Sequence, residues 1–423
     1  MRADVRAPLA RPAPPRKPLL PPDDVPVATT KTHRPPGHGL TAVTPGRREE
    51  TPPVPAISSP LPRRGLTVLA VLPLLALAAC GYGSEAKDDA ANQKVASGAK
   101  KIDGLDSVKI GYFGNLTHAT ALVGRQQGLF QKELGATKAD YATFNAGPSE
   151  IEALNSGSID IGWIGPSPAI NGYTKSGGRS LKIIGGSASG GVKLVVNPEK
   201  IKSLKDVKGK RIATPQLGNT QDVAFLNWAA EQGYKVDAQS GKGDVTVVRS
   251  DNKVTPDAFK AGSVDGAWVP EPTASKLVAE GGKVLLDESD LWPDKKFVIT
   301  NIIVSQKFLK AHPKAVEAVL RASVRTNKWI KANPDAAKDS ANKQLEADSG
   351  KSLPPAVLDP AWKSIQTTDD PLAATLNTEA DHAVKAGLLA KPDLKGIYDL
   401  TLLNKVLGAE GAAKVDAAGL GTD

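Results

Sequence analysis

The stretch PSEIEALNSGSIDIGWIGPSPAI, residues 148–170, reads as a helix, a glycine turn, a strand and a second helix start. Its centre returns in the second half of the chain: GSIDIGW at 157–163 is matched by GSVDGAW at 262–268. In both copies an amphipathic run with helical spacing ends at Gly-Ser, and a short apolar run follows it. A helix-to-strand step used twice implies two similar units.

Working outward from the first copy, SVKIGYF reads as a strand, ALVGRQQGLFQKEL as a helix and YATFNA as a strand, while LKIIGGS and GVKLVVN extend the sheet beyond it. Around the second copy, SLKDVKGK and TQDVAFLNWAAEQG read as helices and RIATPQ, DVTVVR and KVLLDE as strands. Strands that alternate with helices specify an α/β fold with a mainly parallel sheet in each unit. The strand FVITNIIVSQ (297–306) is expected to return the chain to the first lobe, followed by helices, of which HPKAVEAVLRASVRTNKWIKANP is the clearest. The expected boundaries are 107–197 for lobe 1, 198–299 for lobe 2, and 300–423 for the return and the C-terminal helices. Two crossings between lobes permit hinge closure over a ligand.

The 423-residue chain is 40% hydrophobic, enough for two such lobes but not along its whole length. Of its 33 prolines, 16 fall in residues 1–62, which are expected to be disordered or to precede the true translation start. Residues 1–79 hold 11 Lys/Arg against 5 Asp/Glu, so most of the net charge of +9 lies outside the α/β body, and nucleic-acid binding is not expected. In PRRGLTVLAVLPLLALAAC (62–80) the apolar run Leu66–Ala79 is shorter than the ~20 residues of a membrane span and matches a signal-peptide core. Its ending, Leu77-Ala78-Ala79-Cys80, resembles a bacterial lipobox. Residues 63–80 are therefore expected to be a lipoprotein signal peptide with Cys80 as the lipidated residue, and 81–106 a flexible tether at the outer face of the cytoplasmic membrane. Because Cys80 is the only cysteine, no disulfide framework and no cysteine-based zinc site can form.

Ligands of open α/β sheets gather beyond the carboxyl ends of the strands, where helix N-termini present free amides. Four loops have that character: FGNLTHAT with Asn115, Thr117 and His118; WIGPSPAI with Ser167; GGSASGG with Ser187 and Ser189; and TPQLGNTQDV with Asn219 and Thr220. Helix capping is the competing role for Asn115, Thr117, Asn219 and Thr220. Trp163 and Trp268 end equivalent strands and either wall a ligand or pack in the cores. Glu271, in WVPEPTAS at the end of the second lobe's Trp-bearing strand, is an acid placed to meet a ligand amine or cation or to favour its own helix start. No GxxxxGK[ST], GxSxG or HExxH motif occurs in the body, and His118, His312 and His382 are far apart, so no catalytic group, cofactor or metal is expected.

Taken in order, GYFGNLTHATALVGRQQGLF, FNAGPSEIEALNSGSIDIGWIGPSPAI, SLKDVKGKRIATPQLGNTQDV and DGAWVPEP resemble the aliphatic sulfonate, nitrate and taurine family of ABC-transporter substrate-binding lipoproteins over residues 107–345. The resemblance implies a type II periplasmic-binding-protein fold: two α/β lobes, a two-strand hinge, and a cleft that closes on a small anion. It implies ligand contacts from Asn115, Thr117, His118, Ser167, Ser189, Asn219, Thr220, Trp268 and Glu271, with Trp163 beside them. It also implies delivery to an ABC permease and its ATPase, and no enzymatic activity. Apart from Arg125, further along the first helix, these loops carry no Lys or Arg, so the anion is expected to meet neutral donors and dipoles. Nitrate-binding members carry a Lys where this chain has Pro270, which favours an organosulfonate or taurine-like ligand over nitrate. A thiamine pyrimidine precursor is the other candidate ligand. An enzyme on this fold would need a cysteine-rich site that the body lacks.

Overall fold

The computed structural model describes residues 100–422. The leader, the signal peptide with Cys80 and most of the tether expected at 81–106 lie outside the described residues.

The chain enters on β1 (Ser107–Phe113), turns through α1 (Ala119–Gln126) and α2 (Leu129–Leu134) to β2 (Lys138–Phe144), then α3 (Gly147–Ser156), β3 (Ile161–Ile164), α4 (Pro166–Lys175) and β4 (Leu181–Gly190). Proline in the first turn and a left-handed glycine behind the last one, Gly157 at φ 76°, delimit α3 as capping chemistry requires. The chain then crosses to β5 (Val192–Val196), β6 (Arg211–Thr214), α5 (Thr220–Glu231), β7 (Thr246–Arg249), α6 (Thr255–Lys260), β8 (Gly266–Pro270), α7 (Thr273–Ala279) and β9 (Lys283–Asp287). It returns on β10 (Val298–Ser305) and continues through α8 (Gln306–Ala311), α9 (Pro313–Ala332), α10 (Pro334–Ser349), α11 (Pro355–Lys363), β11 (Ile365–Thr367), α12 (Leu376–Lys385) and α13 (Thr401–Ala409).

Two sheets result, ordered β11-β4-β10-β3-β1-β2 and β7-β6-β8-β5-β9. In each, three strands pair in parallel (β2, β1 and β3; β7, β6 and β8), while the crossing strand, β10 in the first sheet and β5 in the second, lies antiparallel between its two neighbours, and β11 pairs antiparallel with β4 at the edge. The sheets are thus mixed rather than mainly parallel, because β10 in the first and β5 in the second each enter from the opposite lobe. The strand Val192–Val196, assigned by sequence to lobe 1, pairs with β8 and β9 and belongs to lobe 2.

The repeated motif has a shared structural task. In the first copy the Asp160 carboxylate accepts from the Lys109 amide at 2.9 Å, and the Asp160 amide donates to the Lys109 carbonyl at 2.8 Å. In the second copy Asp265 makes the same pair with Arg211, at 2.9 and 2.7 Å. Each aspartate therefore fixes the strand that follows it against its parallel neighbour, β1 in lobe 1 and β6 in lobe 2.

Gly190 and Gly191, at φ 76° and 74°, form the first crossing. A Cβ on Gly191 would lie 2.5 Å from Ile365 Cγ2, so chain reversal and close packing both demand glycine here. The C-terminal segment touches both lobes: α11 packs on α7, β11 pairs with β4, and α12 packs on both α4 and α5. Beyond the two hinge strands, therefore, a strap spans the cleft's flank. The remaining helices extend lobe 1, with α9 packed on α1 and α2 and α10 on α1.

Candidate ligand-binding site

The carboxyl ends of the parallel strands face one another and enclose a cavity. Its walls are Phe113, Asn115, Thr117, His118, Asn145 and Gly165 from lobe 1, Asn219, Thr220, Gln221, Asn252 and Pro270 from lobe 2, and Ile299 from β10. The lobes already touch: the Gly147 amide donates to Asn219 Oδ1 at 3.2 Å, and the Leu116 amide donates to the Glu271 carbonyl at 3.0 Å. About 310 Å³ of space lies between the wall atoms, a small cleft with its lobes in contact.

The turn TPQLGNTQDV is held by Asp222, a buried acid in the first turn of α5. Its carboxylate accepts from Thr214 Oγ1 at 2.7 Å, from the Gly218 amide at 3.0 Å and from Arg249 Nε at 2.9 Å. Asn219 is thereby released from capping its own helix, and its Nδ2 donates to Gln221 Oε1 at 2.9 Å while Oδ1 reaches across the cleft. Thr220 is 2% exposed, and its hydroxyl has no partner. A buried hydroxyl aimed at a cavity and left unpaired is costly unless a ligand completes it.

His118 is stacked on Phe113, with ring centroids 4.4 Å apart, and accepts the Phe113 amide at Nδ1 (3.3 Å), which leaves the proton on Nε2. Burial pushes its pKa down to about 3, so the ring is a neutral donor at ordinary pH. No charged side chain lines the cavity among the described residues. The N-termini of α3, α4 and α5, all at its rim, supply its positive potential.

Five of the sequence-expected residues, Asn115, Thr117, His118, Asn219 and Thr220, come together here. The others are placed elsewhere. GGSASGG is not a loop but the second half of β4, paired on both sides, and Ser189 Oγ accepts from the Phe297 amide at 3.4 Å. Ser187 is fully buried in the same strand. Ser167, in the first turn of α4, is buried with its hydroxyl unpartnered but is not part of the wall. Trp163 packs edge-to-face on Phe130 in the lobe 1 core, and Trp268 packs among Phe225 and Trp228 in the lobe 2 core, its Nε1 donating to Glu288 at 2.6 Å. Glu271 is fully buried and engaged by Lys193 at 2.6 Å, by the Ser275 amide at 2.9 Å and by Ser364 at 3.2 Å. It favours its helix start and is not part of the cavity wall. Arg125 is likewise occupied, by Asp348 and the Tyr112 hydroxyl.

Sequence reasoning missed Asn145, Gln221 and Asn252. Asn145 directly follows β2, and Asn252 lies three residues past β7, so both obey the strand-end rule that found the other loops.

Two α/β lobes, two crossing strands and a closed cavity at the strand ends define a binding protein of the type II periplasmic fold. The chain belongs to the NMT1-like family, whose model matches residues 103–344. It is 30% identical over 305 residues to a putative binding protein of Brucella abortus (strain 2308), covering 69% of this chain and 89% of that one. It is 28% identical over 218 residues to the taurine-binding periplasmic protein of Escherichia coli (strain K12), covering 51% of this chain and 64% of that protein. In fold it is similar to the alkanesulfonate-binding protein SsuA from Xanthomonas axonopodis pv. citri, solved bound to MOPS: TM-score 0.56, 24% identity, 68% of this chain and 95% of the other.

Proposed function

We propose that this protein is the extracytoplasmic solute-binding component of an ABC importer, and that it captures a small aliphatic sulfonate in the interlobe cavity for delivery to a permease. The observation that carries the reading is the unpaired, buried Thr220 hydroxyl at the start of a 12-residue helix, facing a cavity whose other donors are neutral. A sulfonate is a weakly basic monoanion that spreads its charge over three oxygens, and amides, a hydroxyl and a neutral imidazole can bind it without a counter-cation. The core positions of Trp163 and Trp268 leave neither ring free to stack on a planar pyrimidine. The relatives named for binding rather than catalysis support a non-enzymatic role. Lipidation at Cys80 would hold the protein beside its permease, and mass spectrometry of the native protein checks it.

Calorimetry with alkanesulfonates, nitrate and a hydroxymethylpyrimidine tests the reading. Sulfonate binding is expected, and Asn219→Ala should weaken it about fivefold, the equivalent of one ~1 kcal/mol hydrogen bond. A response to nitrate or the pyrimidine alone would replace the ligand class.

A further inference from the structure

We infer that the captured sulfonate carries an uncharged hydrogen-bond donor on a short carbon chain, making it a 2-hydroxyalkanesulfonate rather than an aminoalkanesulfonate. The inference rests on the sulfonate reading above and narrows its substrate class.

The polar groups of the wall divide into two sets. Thr220, the Nε2–H of His118 and the amides at the start of α5 are donors suited to an anion. Asn252 is different. It is 8% exposed, and its Oδ1 is buried with no donor. Its backbone carbonyl is already taken by Thr273 Oγ1, at 3.4 Å. A wall that offers donors for a sulfonate and, in Asn252 Oδ1, a buried neutral acceptor with no donor asks for a ligand with a donor of its own.

Charge decides which donor. The acids near the cavity are all engaged by protein groups: Asp222 by Arg249, Thr214 and Gly218; Glu271 by Lys193, Ser275 and Ser364; and Asp251 by the Lys253 amide at 2.8 Å. An ammonium sealed inside would lose its water and gain only an amide oxygen, leaving a buried charge unpaired. A hydroxyl loses far less on desolvation and satisfies Oδ1 completely. Glu271, the acid that by sequence alone could meet an amine, is held away from the wall by its three partners.

The test uses calorimetry on the full-length protein with three ligands of equal chain length: 2-hydroxyethanesulfonate, ethanesulfonate and taurine. The hydroxy compound is expected to bind about fivefold more tightly than ethanesulfonate, and taurine at least tenfold more weakly than either. Asn252→Ala should bring the hydroxy and unsubstituted ligands level. Asn252→Asp, nearly isosteric, should raise taurine's affinity at least tenfold relative to the other two. Taurine binding as tightly as ethanesulfonate, or a hydroxyl advantage that survives Asn252→Ala, would overturn the inference while leaving a sulfonate binder. Failure of all three ligands to bind the folded protein would instead overturn the proposed function.

Discussion

Gly165→Ala should prevent closure without harming either lobe. Gly165 sits at φ −69° and ψ 157°, a backbone conformation that alanine adopts freely. Its added Cβ would lie 2.3 Å from Thr220 Oγ1 and 3.3 Å from Thr220 Cβ, while the next neighbour, the Ile299 carbonyl, is an unstrained 3.7 Å away. Nearly all of the overlap is therefore with the opposite lobe. Relief requires the lobes to part locally by about 1 Å, and overpacking of this order costs ~1–3 kcal/mol. Because the open form is spared, the whole penalty falls on ligand affinity, roughly 5- to 150-fold. Calorimetry would read that loss, small-angle scattering would show that ligand no longer compacts the protein, and the ligand-free melting temperature should stay within a degree or two. Gly147→Ala supplies the contrast, since its Cβ would strike Pro168 Cγ at 2.2 Å within the same lobe and should lower the melting temperature even without ligand. Unchanged affinity in Gly165→Ala, or a fall in ligand-free stability like that of Gly147→Ala, would refute closure through the Gly165–Thr220 contact.

Three further outcomes are expected. Burial raises the Glu288 carboxyl from its ordinary 4.5 to about 7, partly offset by the Trp268 hydrogen bond, so the folded protein holds a proton that the unfolded chain releases; stability is full below pH 4.5 and declines as pH rises to about 7, and Glu288→Gln should flatten that decline in denaturant titrations across this range. Burial lowers His118 to about 3, so its stabilising contribution is present above pH 6.5 and is lost as pH falls toward 3, and its ring resonances should not titrate between pH 8 and 5 in the folded protein. Lys193→Ala leaves the Glu271 carboxylate fully buried without its cation and should destabilise the protein by ~3–5 kcal/mol in denaturant melts, with Lys193→Ala/Glu271→Gln recovering part of the loss.

The two-lobe fold was legible because it is written locally and twice. Helical spacing, a glycine stop and an Asp-led strand recur at 157–163 and 262–268, and the equivalent hydrogen bonds of Asp160 and Asp265 show why that repeat can be read from sequence. The strand-end loops around Asn115 and Asn219 were legible for the same reason. What failed was set by distant partners. GGSASGG has the composition of a loop, and only β10 and β11, contributed much later in the chain, make it a central strand. Glu271 looked available because its cation, Lys193, is 78 positions away. Trp163 and Trp268 lie inside their strands rather than at the ends, and strand alternation turns their rings into the cores, a choice that the sequence left open.

The absence of charge from the cavity wall is arranged, not accidental. Arg125, Lys193 and Arg249, close to the cleft loops, are each matched: Arg125 to Asp348, Lys193 to Glu271 and Arg249 to Asp222. The third pair carries the geometry of the site, because Asp222 pins the turn that presents Asn219 and Thr220. A free guanidinium in so closed a space would hold any anion tightly, including phosphate and sulfate, and release to a permease would require breaking a desolvated ion pair. Neutral donors bind more weakly and reject a second negative charge, whose burial they cannot offset. Closure can then discriminate: the Gly147–Asn219 bond and the Gly165–Thr220 contact form between the lobes, and the ligand adds the partner that Thr220 lacks. A monoanion of the right size completes the set, whereas a dianion leaves the lobes with an uncompensated charge between them. Under the proposed function the neutral wall would link selectivity to release through the same few hydrogen bonds, and a cation introduced there, for example by Asn145→Lys, should strengthen sulfate binding more than sulfonate binding in competitive calorimetry.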